Sequence, residues 1–133
     1  MQQKANARFA IKSWDEKPYS EGADLPRLTR ASVDKTYTGD IDAEGHVEYL
    51  MMYRPDGSAT FVGLERITGR IGDRKGSFVL QRTGKFEDGQ AKESYSVLAG
   101  SATGDMRGLT GEGTSSVGHG MEHPFILDYD LAR

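Results

Sequence analysis

The sequence predicts an all-β protein, either a sandwich or a barrel. Short β-rich runs alternate with glycine-bearing turns about every 10–15 residues, which is typical of these folds. No segment longer than about two turns keeps helical periodicity between start and stop signals. The chain has 133 residues, 17 of them glycine in turn-like contexts. We therefore expect one domain over residues 1–133 with many chain reversals.

Eight runs have the composition of strands and are separated by turn signals. They are predicted near 6–14, 29–41, 46–54, 58–71, 76–86, 91–99, 109–117 and 124–132. Residues 15–28, with two prolines, are expected to form a long loop. The spacing of residues 102–109 suits one tight helical turn.

The segment R-P-D-G-S (54–58) defines one hairpin clearly. It fits a type I turn followed by a glycine in the left-handed region, which pairs Tyr49 with Gly63 and Val47 with Glu65. A slip of one residue would turn every side chain of a strand to the other face. This register therefore points Glu65 inward and its neighbour Arg66 outward.

The segment D-A-E-G-H (42–46) has the same shape as 54–58 and is expected to be a turn as well. It would pair Tyr37 with Met51. An aromatic side chain on a neighbouring strand would then cover Gly39.

Two further turns extend the sheet. Asp88-Gly89 is a strong hairpin signal and pairs Arg82 with Tyr95. A two- or four-residue loop at Asp73 pairs Glu65 with Arg82, although this turn has the weakest signal. All four turns place the same apolar and aromatic residues on one face, which we take as the interior: Val33, Tyr37, Tyr49, Met51, Tyr53, Phe61, Ile67, Phe78, Leu80, Tyr95 and Val97.

The most distinctive interior constellation is Glu65, Arg82 and Tyr95, with Lys35 and Tyr53 at one mouth. A buried carboxylate is costly unless it is paired or neutralised. Three interpretations remain open: a structural ion pair, a polar anchor for a ligand, and proton transfer by Glu65. The predicted site has Glu65 as the candidate catalytic residue, and its candidate ligand-binding residues are Arg82, Tyr95, Tyr49, Tyr53, Lys35, Phe61 and Phe78.

The outer face carries an apolar cluster that needs a cover, and we call it the outer patch: Leu50, Met52, Val62 and Leu64. One expectation is a homo-oligomer formed through this patch. The other is that the loop 15–28, together with Trp14, folds over it.

Composition excludes several classes of function. There is no cysteine, so neither a disulfide framework nor a thiolate metal site is possible, and a reducing cytoplasm suits the chain. The formal net charge is −3 without a basic stripe, which argues against nucleic acid. No apolar run reaches membrane length, so a membrane location is not expected.

The short motifs give little chemistry. In G-H-G-M-E-H (118–123), His119 and His123 lie four residues apart, but the flanking glycines and Pro124 favour a loop, so no metal site is expected. Nucleotide and nucleophile motifs are missing, and no cofactor is expected. Glu93 is predicted at a rim, in water.

Several segments in this order resemble a bacterial family, the domain-of-unknown-function family 3224. They are S-W-D-E-K-P-Y (13–19), L-T-R-A-S-V (28–33), Y-T-G-D (37–40), E-Y-L-M-M-Y (48–53), F-V-G-L-E-R-I-T-G (61–69), G-S-F-V-L-Q (76–81), G-S-A-T-G-D-M-R-G-L-T-G (100–111) and L-D-Y-D-L (127–131). That family looks like the allene oxide cyclase barrel, which is related in shape to calycins. The resemblance implies an eight-stranded antiparallel β-barrel with an interior cavity.

The resemblance implies less about function. Allene oxide cyclases confine an oxylipin and use an interior glutamate, which only Glu65 matches by type. Members of the similar family often carry histidine where this chain has Arg82, and arginine is a poor proton donor. We therefore expect binding of a small apolar or amphipathic molecule. The alternatives are a cyclase or isomerase that confines a lipid-like or polyketide-like substrate, and an assembly protein without a ligand.

Overall fold

In a computed structural model, eight antiparallel strands follow one another around a closed barrel, and β1 pairs with β8 to complete it. The structure describes residues 2–117 and 122–131. The strands are β1 (Gln3–Ser20), β2 (Arg27–Gly39), β3 (Ile41–Tyr53), β4 (Ala59–Ile71), β5 (Arg74–Glu87), β6 (Gln90–Val97), β7 (Thr110–Val117) and β8 (Glu122–Asp130). A 3₁₀ turn at Gly104–Met106 confirms the tight turn predicted within 102–109.

The predicted loop over 15–28 is wrong, because β1 continues to Ser20 and pairs with β2 along that length. Within the described residues β8 accompanies β1 only as far as Ala10. Pro18 therefore lies where one side of the strand has no ladder to interrupt, a position at which proline is tolerated. A bulge between Ile11 and Ser13 shifts the alternation, so Trp14 pairs with the interior residue Val33.

Two predicted registers are confirmed. Tyr49 pairs with Gly63 and Val47 with Glu65 across the β3–β4 turn, and Arg82 pairs with Tyr95 across the β5–β6 turn. Both turns place a glycine at positive φ, 89° for Gly57 and 74° for Gly89. Because few residues adopt that backbone conformation, the turn position could be identified from sequence.

The other two registers are wrong. The β2–β3 reversal occurs at Gly39, whose φ is 102°, and not at 42–46, so Tyr37 pairs with Ala43 instead of Met51. A two-residue β4–β5 turn makes Glu65 pair with Leu80 and not with Arg82. Each predicted register differs from the observed one by an even number of residues. The division into inner and outer faces is therefore unchanged.

The barrel is filled at one end. There the 98–109 connection lies against β5 and buries Met106 and Leu109, which are 1% and 3% exposed. They join one apolar cluster with Ile41, Ile71 and Phe78. A second, smaller cluster lies towards the opposite end, where the β1–β2, β3–β4 and β5–β6 turns lie. Between the two clusters lies the polar site described below.

The outer patch is exposed: Leu50 is 49% accessible, Val62 47% and Leu64 55%, while Met52 is half-buried. The segment 15–20 lies in β1 and does not cover it. Self-association through this patch therefore stays a prediction. Among the described residues no helix is both long and apolar enough to cross a membrane. The cytoplasmic location also stays a prediction.

Candidate functional site

A buried carboxylate lies at the centre of the barrel. Glu65 is fully buried and accepts a hydrogen bond from Arg82 Nε at 2.5 Å and another from the Tyr37 hydroxyl at 2.6 Å. Lys35 Nζ lies 3.5 Å from the oxygen that Arg82 contacts, Oε1. Glu65 and Arg82 meet although they are diagonal and not directly opposite, because long side chains bridge diagonal neighbours on the same face.

Arg82 is also fully buried and connects the rest of the cluster. Nη2 donates to the Tyr37 hydroxyl at 3.0 Å, and Nη1 donates to Glu93. The guanidinium carbon lies 5.0 Å from the centroid of the Tyr95 ring, within the range of a cation–π contact. Two cations and two carboxylates thus meet in one network, so their formal charges balance.

Gly45 makes the space for the carboxylate. A Cβ built at this position would lie 2.3 Å from Glu65 Oε2 and 2.8 Å from Tyr37 Cε1. Gly45 lies within β3, between Lys35 on β2 and Ile67 on β4. A glycine in a strand often marks such a close approach. This role, and not a turn, accounts for the glycine in 42–46.

The neighbours of Glu65 decide its charge. Burial alone would raise the pKa of Glu65, but the charges of Arg82 and Lys35 and the hydrogen bond from Tyr37 outweigh burial and lower it. Burial, and then the charge of Glu65, raises the pKa of Tyr37 well above its usual value. Glu65 is therefore an ionised acceptor, and Tyr37 is a neutral donor.

Lys35 has the weakest pairing in the cluster. Its side chain is 3% exposed, and Nζ lies 4.5 Å from the Phe9 ring centroid and 5.8 Å from that of Tyr49. Burial, and then the charge of Arg82, lowers the pKa of Lys35 to about 8. The nearby carboxylate does not offset this effect, because Arg82 binds the same oxygen more closely.

A pocket of about 410 Å³ lies above Lys35, at the end of the barrel opposite the apolar cluster that contains Met106 and Leu109. Its charged lining residues are Lys35 and Glu93, which lie next to the buried network. The other lining residues are mostly apolar or aromatic: Phe9, Ile11, Trp14, Tyr49, Met51, Tyr53, Gly57, Phe61, Phe86, Ala91, Ser115 and His123. A wider groove of about 930 Å³ on the β4–β7 side is more open to solvent, and of the buried network only Glu93 lines it.

The predicted site residues divide into two groups. Lys35, Tyr49, Tyr53 and Phe61 line the pocket. The others lie beneath it, out of its lining. Of these, Glu65 and Arg82 form the network, Tyr95 donates its hydroxyl to the Ile126 carbonyl at 2.6 Å, and Phe78 packs in the filled end.

The mouth of the pocket has its own polar anchor. Glu16 accepts hydrogen bonds from the Tyr53 hydroxyl at 2.6 Å, the Thr29 hydroxyl at 2.7 Å and Trp14 Nε1 at 2.9 Å. Burial would raise the pKa of Glu16, but these three donors outweigh it and lower it. The Trp14 ring stacks near Tyr49 with centroids 6.3 Å apart. Trp14 is thus oriented across the opening.

Sequence reasoning missed several members of this site. Glu93 was expected in water, but its side chain is 10% exposed and bonds to Arg82. Tyr37 was placed inside without a role. Trp14 was expected outside the barrel only in the alternative in which it covers the outer patch, and the bulge that turns it inward has no clear sequence signal. In contrast, the alternation of β5 and β6 already placed Glu93 on the inner face.

No group of three or more His, Cys, Asp or Glu side chains is placed to hold a metal ion in the ranges 2–117 and 122–131. His119 lies outside the described residues. His123 is half-buried and its ring centroid lies 5.1 Å from that of Phe9. The expectation of no metal at this histidine pair therefore stays a prediction.

Two comparisons with known proteins found similarity. The profile of the family described as "Protein of unknown function (DUF3224)" matches residues 5–129. Among solved structures, the chain is similar to a protein with unknown function of the DUF3224 family from Shewanella oneidensis MR-1, at 26% identity and a TM-score of 0.80, over 100% of both chains. No curated protein matches the chain.

Proposed function

The chain belongs to the DUF3224 family, whose description names no activity, and on that premise we propose from the site itself that the protein binds a small, largely apolar molecule. The molecule enters the open end of the barrel. Its apolar part packs between the aromatic walls, and its one oxygen-bearing end faces Lys35. Fold alone does not select a function, so the pocket carries the proposal.

The supporting observation is a pocket of about 410 Å³ with apolar walls and a charged base. Small-molecule sites usually measure about 300–1,000 Å³ and combine apolar walls with a few convergent polar groups. Phe61 and Phe86 supply apolar surface on the neighbouring strands β4 and β5, and Tyr49 stands edge-on to Phe61 with centroids 5.3 Å apart. A filled barrel that serves assembly only would not need this volume, which counts against the alternative of an assembly protein without a ligand.

The base of the pocket selects the polar end of the ligand. The hydrogen bond from Lys35 Nζ to Glu65 Oε1 is long, at 3.5 Å. The amine can therefore also donate to a carbonyl, hydroxyl or carboxylate oxygen of a ligand. Glu93 lies on the same lining and is bonded to Arg82. A ligand with a long charged region would leave buried charge unpaired, whereas a single oxygen-bearing end suits one free donor.

Trp14 makes this binding measurable, since it is the single tryptophan of the chain and lies on the pocket lining. We expect titration with decanol or decanoic acid to change the tryptophan fluorescence in a saturable way. Ala91→Phe fills the pocket and should weaken binding at least about tenfold. Ala99→Phe makes the same change on an exposed connection and should leave affinity unchanged. Equal affinities for the two variants would contradict the proposal.

A second candidate is an allene oxide cyclase-like cyclase or isomerase that acts by confining its substrate. The opposed charges of Lys35 and Glu93 in one apolar pocket favour it. Glu65→Gln discriminates the two candidates. If Glu65 moves a proton, turnover should fall while binding stays within about tenfold. Equal loss of both, or of neither, would count against the enzyme.

Native mass spectrometry of protein purified from its own host would identify a bound molecule directly. We expect a small amphipathic molecule that is lost on denaturation. The same spectrum reports the number of subunits. Protein that carries no small molecule and also fails to bind decanol would contradict the binding proposal.

A further inference from the structure

We propose that Lys35 forms an imine with an aldehyde or ketone group of the molecule bound in the pocket. The inference rests on the proposed binding function and deepens it by naming the class of ligand. It also assigns Lys35 a covalent role, whereas the binding proposal needs only a hydrogen-bond donor there.

The position of the amine is the first argument. An imine requires a lysine that a carbonyl compound can reach and that is not fixed as an ammonium by a close carboxylate. Lys35 lines the pocket, and its nearest carboxylate oxygen lies 3.5 Å away. That same oxygen is 2.5 Å from Arg82 Nε, so its charge is already balanced.

The surroundings of the amine are the second argument. The side chain is 3% exposed, lies over the Phe9 ring and shares its carboxylate neighbour with the guanidinium of Arg82. Burial and a second cation both favour a neutral amine, the form that attacks a carbonyl carbon. The pKa of Lys35, lowered to about 8, leaves on the order of a tenth of the amine neutral at pH 7.

The reaction balances within the site. The nitrogen lone pair of Lys35 attacks the carbonyl carbon and forms a carbinolamine. Two of the three ammonium protons then leave with the carbonyl oxygen as water, and a C=N bond replaces the C=O bond. Water at the open end of the pocket carries the protons between the nitrogen and the departing oxygen, and Glu65 Oε1, 3.5 Å from Nζ, stays ionised beside the product. The product is a protonated imine, so the positive charge beside Glu65 is preserved.

Lys12 provides the contrast on the neighbouring strand. Its side chain is 54% exposed, and Nζ lies 2.6 Å from Glu44 Oε1. The hydrogen bond to Glu44, and then its charge, raises the pKa of Lys12. Lys12 is therefore accessible to an aldehyde but fixed as an ammonium, which makes it the matched reference for reactivity.

The test uses decanal with sodium cyanoborohydride, which converts an imine to a stable amine that mass spectrometry can locate by peptide mapping. We expect Lys35 to be modified at least about tenfold faster than Lys12 at pH 7, because a larger fraction of its amine is neutral. The α-amino group also reacts with aldehydes, and mapping separates its peptide. Lys35→Arg should abolish the pocket adduct and leave the others, and an excess of decanol should slow labelling of Lys35 alone.

Decanol binding, followed through Trp14 fluorescence, keeps the two proposals distinct because an alcohol cannot form an imine. If decanol binds and decanal modifies the exposed lysines while Lys35 stays unmodified, the imine proposal is wrong and the binding proposal stands. If decanol does not bind and protein from its own host carries no small molecule, the binding proposal fails. Wild-type labelling decides the matter even if Lys35→Arg does not fold, and Lys35→Met serves as the second variant.

Discussion

Replacement of Arg82 by methionine tests the buried network most sharply. Methionine fills similar space but carries no charge, so the change leaves two carboxylates without their main partner. Glu65 is 0% exposed and cannot recover water, whereas Glu93 is 10% exposed. Removal of one member of a buried ion pair costs about 3–5 kcal/mol. Because Lys35 stays 3.5 Å from Glu65 and compensates in part, we expect about 3–4 kcal/mol.

The assay is urea unfolding at pH 7, followed by circular dichroism, for the variant and for Arg70→Met. Arg70 lies 3.6 Å from Asp42 in a pair that is 51% and 66% exposed, and such pairs contribute about 0–1 kcal/mol. The expected loss for Arg82→Met corresponds to a fall in Tm on the order of 10–15 °C. In a double-mutant cycle with Glu65→Leu, we expect a coupling of about 1–3 kcal/mol. Equal losses for the two arginine variants, or strict additivity, would refute the reasoning.

Three further predictions concern other parts of the structure. Lys35 has a pKa of 10.5 in the unfolded chain and about 8 in the folded protein, so the unfolded state binds more protons between these pH values and stability should rise with pH. Relative to Lys35→Met, urea unfolding should show that the wild type gains about 2–3 kcal/mol from pH 7 to 10. A stability difference that does not change with pH would contradict the lowered pKa. Gly45→Ala places a Cβ 2.3 Å from the Glu65 carboxylate and should lower the free energy of unfolding by about 1–3 kcal/mol. Gly22→Ala, in the exposed β1–β2 turn, should leave stability nearly unchanged, and a similar effect at both positions would count against the assigned role of Gly45. In sedimentation velocity we expect the wild type to be a homo-oligomer and the Leu64→Glu variant to be a monomer. The control, Thr38→Lys at an exposed position, should behave like the wild type. A wild type that is monomeric at micromolar concentration would contradict assembly through the outer patch.

The parts of the fold that were predictable depend on turns whose backbone only a few residues adopt. Gly57 and Gly89 mark such turns, and the strand pairs that follow from them are correct. Gly45 shows the limit of this reasoning. A glycine that makes room for a neighbouring side chain looks the same in sequence as a glycine that reverses the chain. Only the closed barrel, which brings Glu65 against β3, distinguishes the two.

The site was predictable to the level of which side chains face inward. Alternation along β4 and β5 placed Glu65 and Arg82 inside, and register errors of an even number of residues did not change that. Depth along the barrel was not predictable. Whether Lys35 lines a pocket or lies beneath it depends on where the 98–109 connection buries Met106 and Leu109. The inward position of Trp14 was not predictable either, because it depends on a bulge that shifts the alternation of β1 by one residue.

The central claim is that an amphipathic ligand binds at a defined position within the barrel. A crystal structure of the protein with decanoic acid tests this claim most directly. We predict the alkyl chain against Phe61 and Phe86, and a carboxylate oxygen within hydrogen-bonding distance of Lys35 Nζ. Density for the ligand on the outer patch, or an unoccupied pocket at saturating ligand, would contradict the account.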